Sequence, residues 1–172
     1  MIRSYSLAVA SLFAALACSD HAGTTAPIGP DELTPSPPSL AVLTGIVVVE
    51  RVANYPATIR LREPDGTLTL LVGSESRPMA SVADAEVSVH GTWDASPGLV
   101  VERFQVLSMN GRPALDGVLE ATATGFALRL NDGTYREISA SPSEIAQYVG
   151  ARLWVTGSAD DQPVTFGVIE AR

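Results

Sequence analysis

From about Ala41 to the end of the chain, apolar and polar positions alternate with a period of two, the pattern of half-buried β-strands. In the first half the segments Leu43–Val49, Thr58–Arg62, Leu68–Val72, Ala85–Gly91 and Leu99–Val106 are predicted strands. Pro64-Asp65-Gly66-Thr67 separates the second from the third. Asp-Gly between alternating runs predicts a hairpin, because glycine accepts the positive φ that such a turn requires. A short segment with Met79 and Val82 lies between the third and fourth strands.

The second half repeats this order. Leu115-Asp116-Gly117-Val118-Leu119 matches Leu43-Thr44-Gly45-Ile46-Val47, and Leu153-Trp154-Val155-Thr156-Gly157 matches Val87-Ser88-Val89-His90-Gly91. Leu128-Arg129-Leu130 runs into Asp132-Gly133-Thr134, as Ile59-Arg60-Leu61 runs towards Asp65-Gly66-Thr67, and Val164 to Ile169 closes the unit. The order and the glycines agree where identity is low, which predicts a duplication. Ser141-Pro142-Ser143-Glu144 reads as a capping box with proline at the first helical position. Ile145, Tyr148 and Val149 then make one apolar face, and Gly150 stops the helix.

Three strands, a short helix and two strands is the order of an OB-type barrel. The expected fold is all-β: two tandem five-stranded OB-like barrels over residues 41–114 and 115–172, each with a short helix between strands 3 and 4. The region from Ala41 to Arg172 also resembles a bacterial family of small OB-like domains of unknown function found in secreted proteins and lipoproteins. Gly45, Gly117, the Asp-Gly turns and the Val-x-Val-x-Gly and Leu-x-Val-x-Gly strands carry that resemblance, which implies a fold and a compartment but no substrate. Units of about 60–70 residues bury only about 60% of their unfolded surface. With no disulfide available, the copies are expected to pack on each other.

Ahead of the strands the pattern changes twice. Residues 1–17 read as an export signal: Arg3, an apolar run from Leu7 to Ala17, and small residues before Cys18. The run is too short for a membrane span, which needs roughly 20 apolar residues. The Ala15-x-Ala17 spacing fits an ordinary secretory cut, and the cysteine at the cut resembles a bacterial lipoprotein signal. An exported cysteine with no partner for a disulfide favours the second reading. That resemblance implies lipidation of Cys18 as the mature N-terminus, and Ser19 after it implies an outer-membrane lipoprotein facing the periplasm. Residues 18–40 are rich in Pro, Thr and Ser with almost no large apolar side chains, so they read as a disordered, lipid-anchored tether.

Charge narrows the partners. The mature chain has 10 − 19 = −9 formal charges after Arg3 is removed, and it has no lysine. Phosphate backbones need a clustered positive surface, so nucleic acid is not an expected partner. Membrane attachment is expected through Cys18 rather than through charge.

Alternation also sorts the candidate site residues. Val87, Val89, Leu153 and Val155 are expected inside, with Glu86, Ser88, His90, Arg152, Trp154 and Thr156 outside. Arg60, Arg62 and Arg129 lie opposite the inward Ile59, Leu61, Leu128 and Leu130, on the sheet that carries ligands in OB folds. With Tyr135, Arg136 and Trp154 they form the candidate binding surface; the alternatives are cross-strand ion pairs for the arginines and inter-copy packing for Trp154. Trp93 has the same two readings.

Catalysis is not expected, since His90 is the only histidine in the folded region and has no Gly-x-Ser-x-Gly context. His21 has no other ligand type clustered with it, and Asp160-Asp161 reads as a solvated turn. No metal or cofactor is therefore expected. The expected role is a non-catalytic binding module for an envelope protein or glycan, and the competing one is a structural spacer without a ligand.

Overall fold

The alternating segments form β1 (Ser39–Glu50), β2 (Thr58–Arg62), β3 (Leu68–Val72), β4 (Glu86–Trp93), β5 (Leu99–Met109), β6 (Arg112–Thr122), β7 (Gly125–Leu130), β8 (Tyr135–Glu137), β9 (Arg152–Thr156) and β10 (Thr165–Glu170). The computed structural model describes residues 38–94, 96–138, 143–157 and 164–172, all within the unit Pro35–Arg172. The protein is all-β, its strands joined in one sheet system.

In the first half β1 pairs antiparallel with β2 through Val47↔Leu61 and with β4 through Gly45↔Val87. β2 pairs with β3, and β4 with β5. β3 and β5 run parallel through Leu71↔Leu99 and Val72↔Val100. The pairings therefore run β1–β2–β3–β5–β4 and return to β1. β1 can serve two partners because it changes neighbour near Gly45, where a Cβ would strike the Arg62 carbonyl.

The second half repeats these pairings: β6 with β7 and β9, β7 with β8, and β9 with β10. A Cβ on Gly117 would lie 2.5 Å from the Arg129 carbonyl oxygen, so both opening glycines answer the same close approach. The local bonds recur as well. Val47 N donates to Ala85 O and Asp84 N to Val47 O; Leu119 N donates to Ala151 O and Gly150 N to Leu119 O. Asp84 and Gly150 both adopt positive φ, 64° and 89°. The counterparts of the β3–β5 closing pairs fall at positions 138–139 and 161–162, of which only Ile138 is described.

Several sequence expectations need correction. The repeat register is shifted by two: Arg62 pairs with Ile46 and Arg129 with Val118, so Leu61-Arg62-Glu63, not Ile59-Arg60-Leu61, corresponds to Leu128-Arg129-Leu130. Ser39 and Leu40, assigned to the tether, already belong to β1. The expected boundary at 114/115 falls inside β6, and the halves meet at Asn110-Gly111. Those two residues have φ 53° and 73°, as a two-residue hairpin requires. The helices after β3 and β8 are 3-10 helices, Ser74–Val82 and Ser143–Tyr148. Ser141 and Pro142 of the expected capping box lie outside the described residues.

Each half has its own core. Val47, Leu61, Met79, Val82, Val87, Val89 and Leu99 are buried in the first, and Leu119, Leu128, Ile145, Leu153 and Val155 in the second. The four positions expected inward on β4 and β9 are among them. The second half also lends Ala114, Trp154 and Ile169 to the first core. Its sheet therefore packs by its outer face against the first half.

Candidate functional site: a cleft between the halves

The six candidate surface residues do not form one surface. Arg60 and Arg62 share the outer face of β2; Arg60 Nε lies 3.4 Å from Glu50 Oε1, while Arg62 is exposed opposite Leu68. Arg129 sits at the position of Arg62 in the other half, with its Nε 2.6 Å from Glu120 Oε1. That hydrogen bond, and then the Glu120 charge, raise the guanidinium above its already high value. Tyr135 stands opposite Arg129 and is 57% exposed. Arg136 pairs with the buried Leu128, so it belongs to the other face of the sheet.

Trp154 is not an open platform. It points away from its own core as alternation requires, but that face of β9 is turned onto the first half, where the indole joins the first core. Gly167 lies across from it on β10, and a Cβ there would come within 2.5 Å of the indole Nε1. The corresponding pair in the first half is Ser88 and Gln105. Arg152 and Thr156 share the Trp154 face and are likewise covered rather than exposed: Arg152 is half-buried and Thr156 only 2% exposed, with its hydroxyl bonded to that of Thr165. Trp93, at the end of β4, remains 38% exposed.

An ion pair within the second half reaches across the junction, beside the apolar contacts of Ala114, Trp154 and Ile169 and the Ser81 Oγ bond to the Ile169 carbonyl. The Asp116 side chain is fully buried and Arg152 is 17% exposed. Arg152 donates from Nε to Asp116 Oδ1 at 2.9 Å and from Nη2 to Oδ2 at 2.8 Å. The same Nη2 donates to the Phe104 carbonyl at 2.6 Å, and the guanidinium lies 4.3 Å from the Phe104 ring centroid. Asp116 Oδ2 also accepts the Val106 backbone N–H at 2.8 Å. Residues of β6 and β9 thus fix the backbone of β5. A bidentate, fully hydrogen-bonded pair of this kind orients what it joins, because breaking it leaves a buried charge.

Beside this lock lies a cleft of about 480 Å³, with His90, Arg103, Phe104 and Gln105 on one wall and Leu130, Asn131 and Asp132 on the other. The first wall belongs to β4 and β5; the second is the turn between β7 and β8. Arg103 Nη2 and His90 Nδ1 are 3.1 Å apart. Arginine only donates, so a hydrogen bond between them needs Nδ1 as its acceptor. Asp132 Oδ1 accepts from Thr134 Oγ1 at 2.6 Å and from Thr134 N at 2.9 Å. Those bonds hold its carboxyl below the usual carboxylate range, with a further contribution from the Arg136 charge. The cleft therefore offers a guanidinium, an imidazole, two side-chain amides and an ionised carboxylate. Among the described residues its lining includes no hydroxyl or thiol side chain.

Alternation brings His90 to the outer face, but it does not single out Arg103, Gln105, Asn131 or Asp132 as partners. Asp132 is legible only as a turn residue, and Asn131 only by replacing Pro64 in the repeat. Their meeting depends on how one half docks on the other. Among the described residues no three His, Cys, Asp or Glu side chains gather as a metal site, and no helix is long and apolar enough to cross a membrane. Comparison with protein-family models, characterised proteins and solved structures finds no significant match to this chain.

Proposed function

We propose that this protein is an exported lipoprotein, anchored through Cys18 and held off the outer membrane by its Pro-rich tether, that binds an envelope glycan or protein without catalysis. In this reading both halves are OB-like barrels, which the cyclic strand order of the first and its helix between β3 and β4 support. The observation that supports binding most is the cleft between the halves, with donors and acceptors converging from both and the walls pre-positioned by the Asp116–Arg152 lock. Preformed concave sites with a few placed polar groups are the usual form of ligand sites. No cofactor, metal or nucleic acid enters the proposal.

A photo-crosslinking side chain at Asn131 in the native envelope, followed by a glycan array, tests it. One dominant partner or glycan class, with at least tenfold weaker binding by Arg103→Ala at unchanged thermal midpoint, is the expected result. Capture of nothing beyond the protein itself, together with an empty array, overturns it. The structural-spacer reading then takes its place; the packing of Trp154 between the halves and the pairing of Arg60 and Arg129 with glutamates favour it.

A further inference from the structure

The two halves carry a hollow at the same place, and only one is large. In the first half it is a groove of about 550 Å³ between the β2–β3 strand ends and the 3-10 helix Ser74–Val82, lined chiefly by Ile59, Leu70, Leu71, Val72, Ala80 and Arg77. In the second half the corresponding positions, including Phe126 for Ile59 and Glu137 for Leu70, line only about 190 Å³. The residue equivalent to Leu70 is thus a carboxylate in the second half.

Its surroundings describe an occupant. The lining strands are apolar, and the β1–β2 loop that leads into the groove exposes Val52 by 63% and Tyr55 by 73%. Two arginines stand at the mouth, with Glu75 on the same 3-10 helix as Arg77. Arg77 is exposed and makes no ion pair among the described residues, and Arg51 reaches over to the Ala80 carbonyl at 3.3 Å. Two guanidinium groups beside an apolar groove, in a chain of formal net charge −8, complement a ligand with one apolar tail and one anionic head. The groove's volume lies in the range of small-molecule sites.

We infer that this groove binds a free single-chain anionic amphiphile, a fatty acid, with the tail against Leu70, Val72 and Ala80 and the carboxylate at Arg77. The site is separate from the cleft between the halves, and neither inference depends on the other.

Titration of the full chain with dansyl-undecanoate below its micellar concentration tests it. Saturable binding of one probe per chain, displaced by dodecanoate at least tenfold more effectively than by dodecanol, is expected. Leu70→Glu, which installs the residue found at the equivalent position of the second half, should weaken binding at least tenfold with the thermal midpoint preserved. Arg77→Gln should remove the preference for dodecanoate over dodecanol while leaving dodecanol displacement unchanged. Non-saturable uptake, or wild-type affinity and head-group preference in both variants, overturns the inference. So does probe binding by a Cys18→Ser chain but not by the lipidated one, which would assign the groove to the protein's own acyl chain.

Discussion

The two halves of this protein set different side chains on the same pairings, and the difference lies on the outer faces. At the β1–β4 crossing the first half has Thr44, Glu86 and Ser88; the second half has Asp116, Arg152 and Trp154. Across the same irregularity in the last strand, Ser108 donates to Glu86 Oε2 at 3.0 Å, whereas Glu170 stands 4.0 Å from Arg152 Nη1. The cross-strand polar pair is retained, but its anion moves from β4 in the first half to the last strand in the second, where a cation faces it. The first half's versions of these residues lie on its own outer face. In the second half they build the junction, so a β-sheet can become a docking surface by changing a few outward residues while its inward ones stay apolar.

Removing the junction charge should break that contrast most strongly. Asp116→Ala leaves Arg152 without its partner and the Val106 N–H without its acceptor. The expected loss is about 3–5 kcal/mol by urea unfolding, whereas Thr44→Ala at the equivalent place should stay within about 0.5 kcal/mol. Equal effects at the two positions would mean that the junction is not held by this pair.

Trp154→Ala comes next. The half-buried indole should cost about 2–3 kcal/mol, less than the roughly 3–5 of a fully buried aromatic, and Ser88→Ala should cost almost nothing. Gly167→Ala meets the indole from the other side and should also destabilise, while Gln105→Ala should not. A stable Gly167→Ala protein with unchanged tryptophan fluorescence would show that the ring lies elsewhere.

A smaller effect separates the turns from the junction. Asp65 and Asp132 each accept from a threonine two residues on, and those bonds depress both carboxyl pKa values. A depressed folded pKa stabilises above the unfolded value and is lost as pH falls through the folded one. This part of the stability should therefore be flat at neutral pH and decline only below about pH 4. Unfolding midpoints from pH 6 to pH 2 should converge for wild type and Asp65→Ala/Asp132→Ala as the pH drops. A gap that widens with acid would refute the assignment.

The smallest effect is expected at the exposed ion pairs. Arg60→Gln and Arg129→Gln should leave the thermal midpoint unchanged at physiological salt, because solvent screens such pairs. A clear loss in either would move the energetic centre of the molecule away from the junction.

Much of this contrast begins in the sequence. Alternation located every strand except β8, and the Asp-Gly turns and paired glycines exposed the repeat. The glycines recur because Gly45 and Gly117 meet a neighbouring carbonyl, a backbone constraint that both copies share. The register of the repeat was less legible: Ile59-Arg60-Leu61 and Leu61-Arg62-Glu63 both alternate, and only the hydrogen-bonded partners distinguish them. The Asn110-Gly111 hairpin is a local signal too, but nothing local shows that it joins two copies of one unit rather than two strands of one.

The sequence by itself determined which side of each strand faces its own core, because side-chain direction follows the pleat residue by residue. It could not determine what lies beyond the other side. Trp154 is outward by alternation and packed in the molecule by docking; His90 is outward by the same rule and lines a cleft. Inward packing is a property of one unit, encoded within a few residues. The fate of an outward face depends on contacts between residues far apart in the chain, and only the tertiary structure decided those.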